Sequence, residues 1–382
     1  MIRNVIRWKL RARHVLAIGA FAVIVLLPAC ALLNQRPEAA FTYTPAAGAA
    51  PLDVVFDASS SQDADGVVVD YAWNFGDGET GTGVGPTHRY DEPGEYVAQL
   101  TVTDNAGRTQ SSERTIVVNA PTRHAIVVGL AAYYYAPCLY YVDDDVLGIR
   151  QALLDSPGWD AENIAFLLNA DATSWNVAAA FDDLDAADEN DLLFVYFSGH
   201  GGRIPDDDPG EEADGFDEAL FLYDSAYISD DALEQYLARV PMRRIVVMVD
   251  SCFSGGLLGG STAASAAGWA DDWMSELRHL DDVGAQDLDE LSKRIVAITA
   301  SHETEYSWEI GTLEHGVFSY AILEALSGLG DAWGDGDGYV SAEECFTVAS
   351  QRVPELMAPV GEDQRPQILD AHPGELEFYP LP

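Results

Sequence analysis

The chain is expected to form an α/β domain, a largely parallel sheet sandwiched by helices, preceded by a small all-β sandwich. Three observations predict this. The strings FVYFSGHGG, ending at Gly202, and VVMVDSCFSGG, ending at Gly256, are buried-type apolar runs that stop on small-residue turns. Runs of this kind suit strands covered on both faces. After residue 121, similar runs alternate with helical patterns, which argues for helices on both sides of a sheet. Before residue 120, short alternating segments are separated by Gly, Pro, Asp and Ser, the pattern of a sandwich.

At 382 residues the chain has room for two domains, one with a large core. Its 63 acidic and 20 basic residues give a formal net charge of −43. A phosphate backbone would be repelled, so nucleic-acid binding is excluded as a function class. Calcium, cationic substrates and life at high salt are all compatible with this acidity. Lys9 and Lys293 are the lysines; the other basic residues are arginines.

The elements follow in order. Arg3, Arg7, Lys9, Arg11 and Arg13 form a basic n-region, and residues 15–27 are apolar but short for a membrane span. They run into Leu27-Pro28-Ala29-Cys30, which resembles the lipobox of bacterial lipoproteins, although Pro28 is unusual there. The resemblance implies a signal peptide over 1–29, lipidation of Cys30 and a tether over 30–38. The alternative is an uncleaved signal anchor; either way the remainder is exported and membrane-tethered. Ala31 after the cysteine implies outer-membrane sorting in a Gram-negative cell. Cys138 and Cys345 pair in an oxidising compartment or remain two buried free thiols.

Residues 39–119 carry the sandwich, with strands expected at 52–56, 67–75, 96–102 and 114–118. Tyr71-Ala72-Trp73-Asn74-Phe75-Gly76-Asp77-Gly78 matches the W-x-F-G-D-G core of polycystic-kidney-disease (PKD) domains. Ser59-Ser60-Ser61, Asp63, Asp65-Gly66, His88, Tyr90, Gly94, Tyr96 and Asp104 fall at that family's turns and strands. The resemblance implies an Ig-like spacer or adhesive module. Trp73 reads as core rather than as a ligand platform, and Asp57, Asp63 and Asp65 as polar turns rather than calcium ligands.

Ala120-Pro121 is the boundary, and the second domain is placed at 122–378. Strands are expected at 124–130, 164–168, 192–198, 244–250 and 294–300. Helices are expected at 143–154, 174–184, 230–239 and 317–326. Residues 255–290, rich in Gly, Ala, Ser and Asp, read as a long excursion.

The two leading strands present His200 and Cys252 at their carboxyl ends, where open α/β sheets gather their reactive groups. A thiol near pKa ~8.5 and an imidazole near ~6.5 exchange a proton close to neutrality. The thiolate attacks a carbonyl and the imidazolium protonates the leaving amine. Gly199, Gly201, Gly202, Ser251, Ser254 and Gly255 leave room for a peptide. The backbone N–H groups of Gly201 and Cys252 are the candidate oxyanion donors. A buried inert cysteine and a strand-ending histidine are the bland reading of the pair alone.

Context decides between them. The histidine lies 52 residues before the cysteine, a caspase-type spacing. Ser198-Gly199-His200-Gly201-Gly202, Asp214-Gly215-Phe216-Asp217-Glu218, Ile228-Ser229-Asp230-Asp231 and Asp250-Ser251-Cys252-Phe253-Ser254-Gly255 occur in this order. Together they resemble a metacaspase over roughly residues 122–370, which implies a caspase-like fold and a cysteine endopeptidase. The resemblance further implies cleavage after Arg or Lys. Asp250 would floor the cation pocket, Ser198 would supply its serine, and Asp145 a second carboxylate. For Asp145 a helix-dipole role remains open, and Asp143 and Asp144 leave its register open too.

An activating Ca²⁺ is implied at Asp217, Asp230 and Asp231, with the family's further carboxylate missing near Gly259; Asp230 also suits an N-cap. Asp335-Gly336-Asp337-Gly338 with Glu344 resembles an EF-hand loop except at Trp333, but reads better as an Asp-Gly turn before a helix. Self-processing is expected at Arg278, with Lys293-Arg294 as the alternative. Other function classes are a catalytically silent adhesive surface protein and a gingipain- or legumain-like protease. The expected partners are proteins or peptides with a basic P1 residue and, through lipid, a membrane.

Overall fold

The computed structural model describes residues 34–134, 136–205, 216–252, 254, 293–302, 304–370 and 374–382. Cys30, Arg278 and the 255–290 excursion lie outside the described residues.

The N-terminal strands are β1 (Thr42–Thr44), β2 (Ala47–Ala49), β3 (Leu52–Asp57), β4 (Val68–Asn74), β5 (Thr80–Thr82), β6 (Thr87–Tyr90), β7 (Gly94–Asp104) and β8 (Thr109–Asn119). They form a three-stranded sheet, β1-β3-β6, and a five-stranded sheet, β2-β8-β7-β4-β5. β3 alternates buried and exposed residues, the period-2 mark of a strand with one face on a core. Trp73 is buried, packs against Phe41, Phe56 and Phe75, and donates Nε1–H to Gly83 O at 2.9 Å. Its indole is therefore a core element. The short β1 and β2 escape sequence patterning because each has only three residues.

The second domain contains β9 (Arg123–Gly129), α1 (Val142–Asp155), β10 (Ile164–Leu168), α2 (Ser174–Asp182) and β11 (Leu192–Ser198). β12 (Gly201–Pro205), β13 (Phe216–Phe221), β14 (Tyr227–Ser229), α3 (Asp230–Arg239) and β15 (Arg244–Asp250) follow. After the excursion come β16 (Arg294–Thr299), β17 (Glu309–Ile310), β18 (His315–Gly316) and α4 (Val317–Glu324). β19 (Tyr339–Ser341), α5 (Ala342–Met357), β20 (Gln367–Asp370) and β21 (Glu377–Pro380) complete it.

The central sheet runs β10-β9-β11-β15-β16-β20, all parallel except β20, which pairs antiparallel with β16. Alternate residues of one strand enter different cores, because successive side chains point to opposite faces. Phe194 and Tyr196 pack with Val146, Ile149, Phe318 and Val348 on one side. Leu193, Val195 and Phe197 pack with Val177, Phe181 and Leu237 on the other. Every residue of β11 is buried, so the strand cannot slip register without exposing apolar surface or burying polar groups. The antiparallel edge β20 and the separate sheet β12-β13-β14 go beyond the expected pattern. β13 hides from periodicity because the acids Asp217 and Glu218 are buried within it, Glu218 against Arg203 at 3.2 Å.

Candidate active site

Strand register builds the site. β11 and β15 are neighbours in parallel, with Ser198 opposite Asp250. His200 and Cys252 each follow two residues later, so both emerge at one carboxyl edge and line one cleft. The glycines are required by close approach. A Cβ on Gly201 would lie 2.4 Å from the Cys252 carbonyl oxygen, and one on Gly199 would lie 2.5 Å from Tyr133 Oη.

His200 is held from both ends by the loop before α1. Its backbone N–H donates to Tyr133 Oη at 2.6 Å, and the two rings lie 4.7 Å apart. Nε2 lies 2.8 Å from Pro137 O. A carbonyl only accepts, so Nε2 carries the hydrogen and Nδ1 of the neutral ring keeps its lone pair. The loop is itself pinned. Asn169 Oδ1 accepts from Ala131 and Ala132 N–H, and Glu309 accepts from Tyr140 and Tyr141 N–H.

Cys252 Sγ lies 3.8 Å from Ser307 O. Burial pushes its thiol pKa up, and the charge of Asp250 pushes the same way. Both effects disfavour the thiolate.

Beside the pair lie two buried carboxylates. Asp250 Oδ1 accepts from Ser307 Oγ at 2.5 Å, while Oδ2 accepts from Ser319 Oγ and from Ser319 N–H at 3.1 Å. Gln364 orients this wall, donating to Ser307 Oγ at 3.2 Å and accepting from Trp308 N–H at 3.1 Å. Tyr196 lies beneath, its hydroxyl 2.6 Å from Ser319 Oγ. Asp145 takes Ser198 Oγ at 3.2 Å, His315 Nδ1 at 2.9 Å and Gly316 N–H at 3.1 Å. The two carboxylates converge: a Cβ on Gly316 would lie 2.6 Å from Asp250 Oδ2 and 3.1 Å from Asp145 Oδ2. Burial, followed by the like charge of Asp145, raises the Asp250 pKa to about 6. Burial raises that of Asp145 too, against the hydrogen bonds it accepts. A cation between them would relieve both penalties.

Asp145 therefore faces the cleft. Asp144 is exposed, and Asp143 accepts from Asn169 at 3.0 Å. His200, Cys252, Ser198, Asp250 and Asp145 all line one cleft, and Gly201 abuts it. Asp217, Asp230 and Asp231 lie elsewhere, on β13 and the first turn of α3. The helix cap is Ser229, which accepts from Ala232 N–H at 3.2 Å, and not Asp230. Among the described residues, Asp331, Asp335 and Asp337 bring carboxylate oxygens within 4.8 Å of one another. The turn at 335–338 is closed by its own aspartates, and Glu344 is occupied in a capping box with Ser341.

Lys293 and Arg294 are tied into the fold. Lys293 Nζ donates to Leu237 O at 2.6 Å and Ala238 O at 2.8 Å, capping α3, and burial lowers its pKa to about 8. Arg294 pairs with Glu343 at 2.8 Å. Cys138 is an exposed free thiol and Cys345 a buried one, so the disulfide alternative is not realised.

Sequence patterning misses Tyr133, Pro137, Ser307, Ser319, His315 and Gln364. Tyr133 and Pro137 come from the loop before α1 and the others from segments far along the chain, and the faint signal is Gly316 just before an apolar helix.

Residues 34–119 match the PKD domain family and residues 122–375 the caspase domain family. Metacaspase-4 of Arabidopsis thaliana is 33% identical over 144 residues, 36% of this chain and 34% of that protein. Metacaspase III c of Phaeodactylum tricornutum is 32% identical over 148 residues, 36% of this chain and 44% of that protein. A microbial collagenase of Vibrio alginolyticus is 38% identical over 87 residues, 23% of this chain and 11% of that protein. The chain spans about a third of the length of the first curated relatives it matches. Among solved structures, caspase-1 from Spodoptera frugiperda is similar at 13% identity and a TM-score of 0.44, over 67% of this chain and 88% of that one.

Proposed function

The chain belongs to the caspase-domain family, and we propose that it is a cysteine endopeptidase cleaving peptide bonds after arginine or lysine. The observation that carries this reading is the convergence of Asp145 and Asp250 on Gly316, in the cleft that also holds His200 and Cys252. A guanidinium or ammonium entering there would meet two carboxylates, whereas a P1 aspartate would be repelled.

His200 Nδ1 takes the Cys252 proton while Pro137 O holds Nε2–H, and the sulfur attacks the scissile carbonyl carbon. The N–H groups of Gly201 and Cys252 receive the oxyanion. The imidazolium returns its proton to the leaving amine as the C–N bond breaks, leaving a thioester. Water, deprotonated by His200, attacks the thioester, releases the acid and restores the thiol.

Calcium stimulation is part of the proposal on ligand chemistry alone. Asp217, Asp230 and Asp231 are hard oxygen donors of the kind that cation takes. No catalytic step is routed through the ion. Export and anchoring through Cys30 rest on the N-terminal sequence; no helix among the described residues is long and apolar enough to cross a membrane.

The test is hydrolysis of fluorogenic peptides with P1 Arg, Lys or Asp, with and without calcium, by wild type and Cys252→Ala. Arg and Lys peptides turned over by wild type alone support the reading. Equal signals from both proteins eliminate a Cys252 peptidase, and cleavage after Asp but not Arg overturns the pocket assignment.

A further inference from the structure

Asp145 reaches the cleft from α1, and a side chain outside the cleft holds it there. His315, the residue before Gly316 on β18, places Nδ1 2.9 Å from Asp145 Oδ1. A carboxylate oxygen accepts, so Nδ1 carries the hydrogen. Asp145 is 1% exposed, whereas the His315 side chain is 22% exposed and does not line the cleft. His315 therefore acts on Asp145 and not on substrate. Its surroundings are acidic: Asp144 and Asp145 on α1, the adjacent Glu314, and Glu309 on the paired strand β17. The Tyr320 ring of α4 lies 6.2 Å away.

We propose that His315 is a positioning residue for specificity, fixing the Asp145 carboxylate in the cleft and setting the pocket's net charge as it gains or loses a proton. The inference rests on the basic-P1 reading above. The Asp145 hydrogen bond raises the His315 pKa above its ordinary 6.5, against burial and with help from Asp144 and Glu314. The imidazolium consequently persists to higher pH than that of an ordinary histidine, and while it persists it offsets one pocket carboxylate. As pH rises through the raised pKa that offset is lost, and the pocket tightens on a P1 cation.

The experiment measures kcat and KM across pH for paired peptides with P1 arginine or its neutral isostere citrulline. His315→Ala raises KM for the arginine peptide about tenfold, the worth of a hydrogen bond to a charged group, and leaves kcat within about twofold. His315→Asn, whose amide replaces Nδ1–H, restores KM to within about threefold but removes the alkaline limb of the wild-type KM profile. An unchanged KM in His315→Ala, an equal fall in kcat, or the same alkaline limb in His315→Asn overturns the proposal. If wild type fails to prefer arginine over citrulline, the basic-P1 reading itself fails. The contact then still stands or falls by NMR titration of His315: Asp145→Asn lowers its midpoint if the pair exists, and an unmoved midpoint refutes it.

Discussion

Ser198 and Asp250 stand opposite one another at the carboxyl ends of adjacent parallel strands. Two residues beyond each comes one member of a thiol–imidazole pair. One register thus sets both the reacting groups and part of the pocket that would select a substrate, so a slip of either strand would disturb both.

Asp250→Asn tests the pocket with an isosteric change. The kcat/KM for a P1 arginine peptide is expected to fall about a hundredfold, because a desolvated charge pair is lost. The same variant removes a charge that raises the Cys252 pKa. Alkylation of Cys252 by iodoacetamide should therefore begin at lower pH than in wild type; an unshifted profile contradicts the electrostatic coupling.

Asp250 also imposes a pH dependence with a definite sign. Its folded pKa is raised to about 6 from 3.8, so the folded protein binds this proton more tightly than the unfolded chain. The empty pocket costs stability above pH ~6, on the order of 2–3 kcal/mol by the size of the shift, and the cost fades as pH falls through that range. Asp250→Asn should raise the thermal midpoint at pH 8 and change it less at pH 5. KM for a P1 arginine peptide should climb below pH ~6 in wild type, read from Michaelis curves at each pH.

Gly316→Ala separates pocket from fold. Backbone φ at Gly316 is −58°, which alanine adopts freely, so the burden falls on the added methyl, 2.6 Å from Asp250 Oδ2. Hydrolysis after arginine should drop by at least about a hundredfold while the circular dichroism spectrum is kept. A variant with full activity would show that the P1 side chain does not pass between the carboxylates.

Tyr133→Phe removes the acceptor for His200 N–H while keeping the ring beneath the imidazole. A loss of about tenfold in kcat with little change in KM is expected, since the base is misplaced but the pocket is intact. Equal loss in KM would assign Tyr133 to substrate binding instead.

Self-processing should avoid Lys293 and Arg294, whose side chains are spent on the end of α3 and on Glu343. Fragment masses from incubated wild type are expected to place any cut at Arg278, and Cys252→Ala should stay intact. A cut after Lys293 would mean that this cap opens.

The sandwich, the parallel sheet and the strand ends that carry His200 and Cys252 are legible in the sequence because each rests on a local pattern. Buried runs such as residues 192–198 and 244–250 announce central strands, and small residues mark their ends. The pocket is only half legible. Ser198 and Asp250 lie beside their reacting neighbours in sequence, but Ser307, Ser319, His315 and Gln364 arrive from elements 50 or more residues away. Pro137 contributes a backbone carbonyl, which leaves no trace in residue type. β13 is missed because its acids are buried, a case where tertiary pairing overrides polarity.

The most direct test joins nucleophile and pocket in one measurement. Wild-type protein is treated separately with chloromethyl ketones of an arginyl and of an aspartyl peptide, and the adduct is located by peptide mass mapping. One arginyl adduct on Cys252, with negligible aspartyl labelling, is the expected result. Equal labelling by both reagents, or an arginyl adduct on Cys138 with Cys252 unmodified, would contradict the assignment.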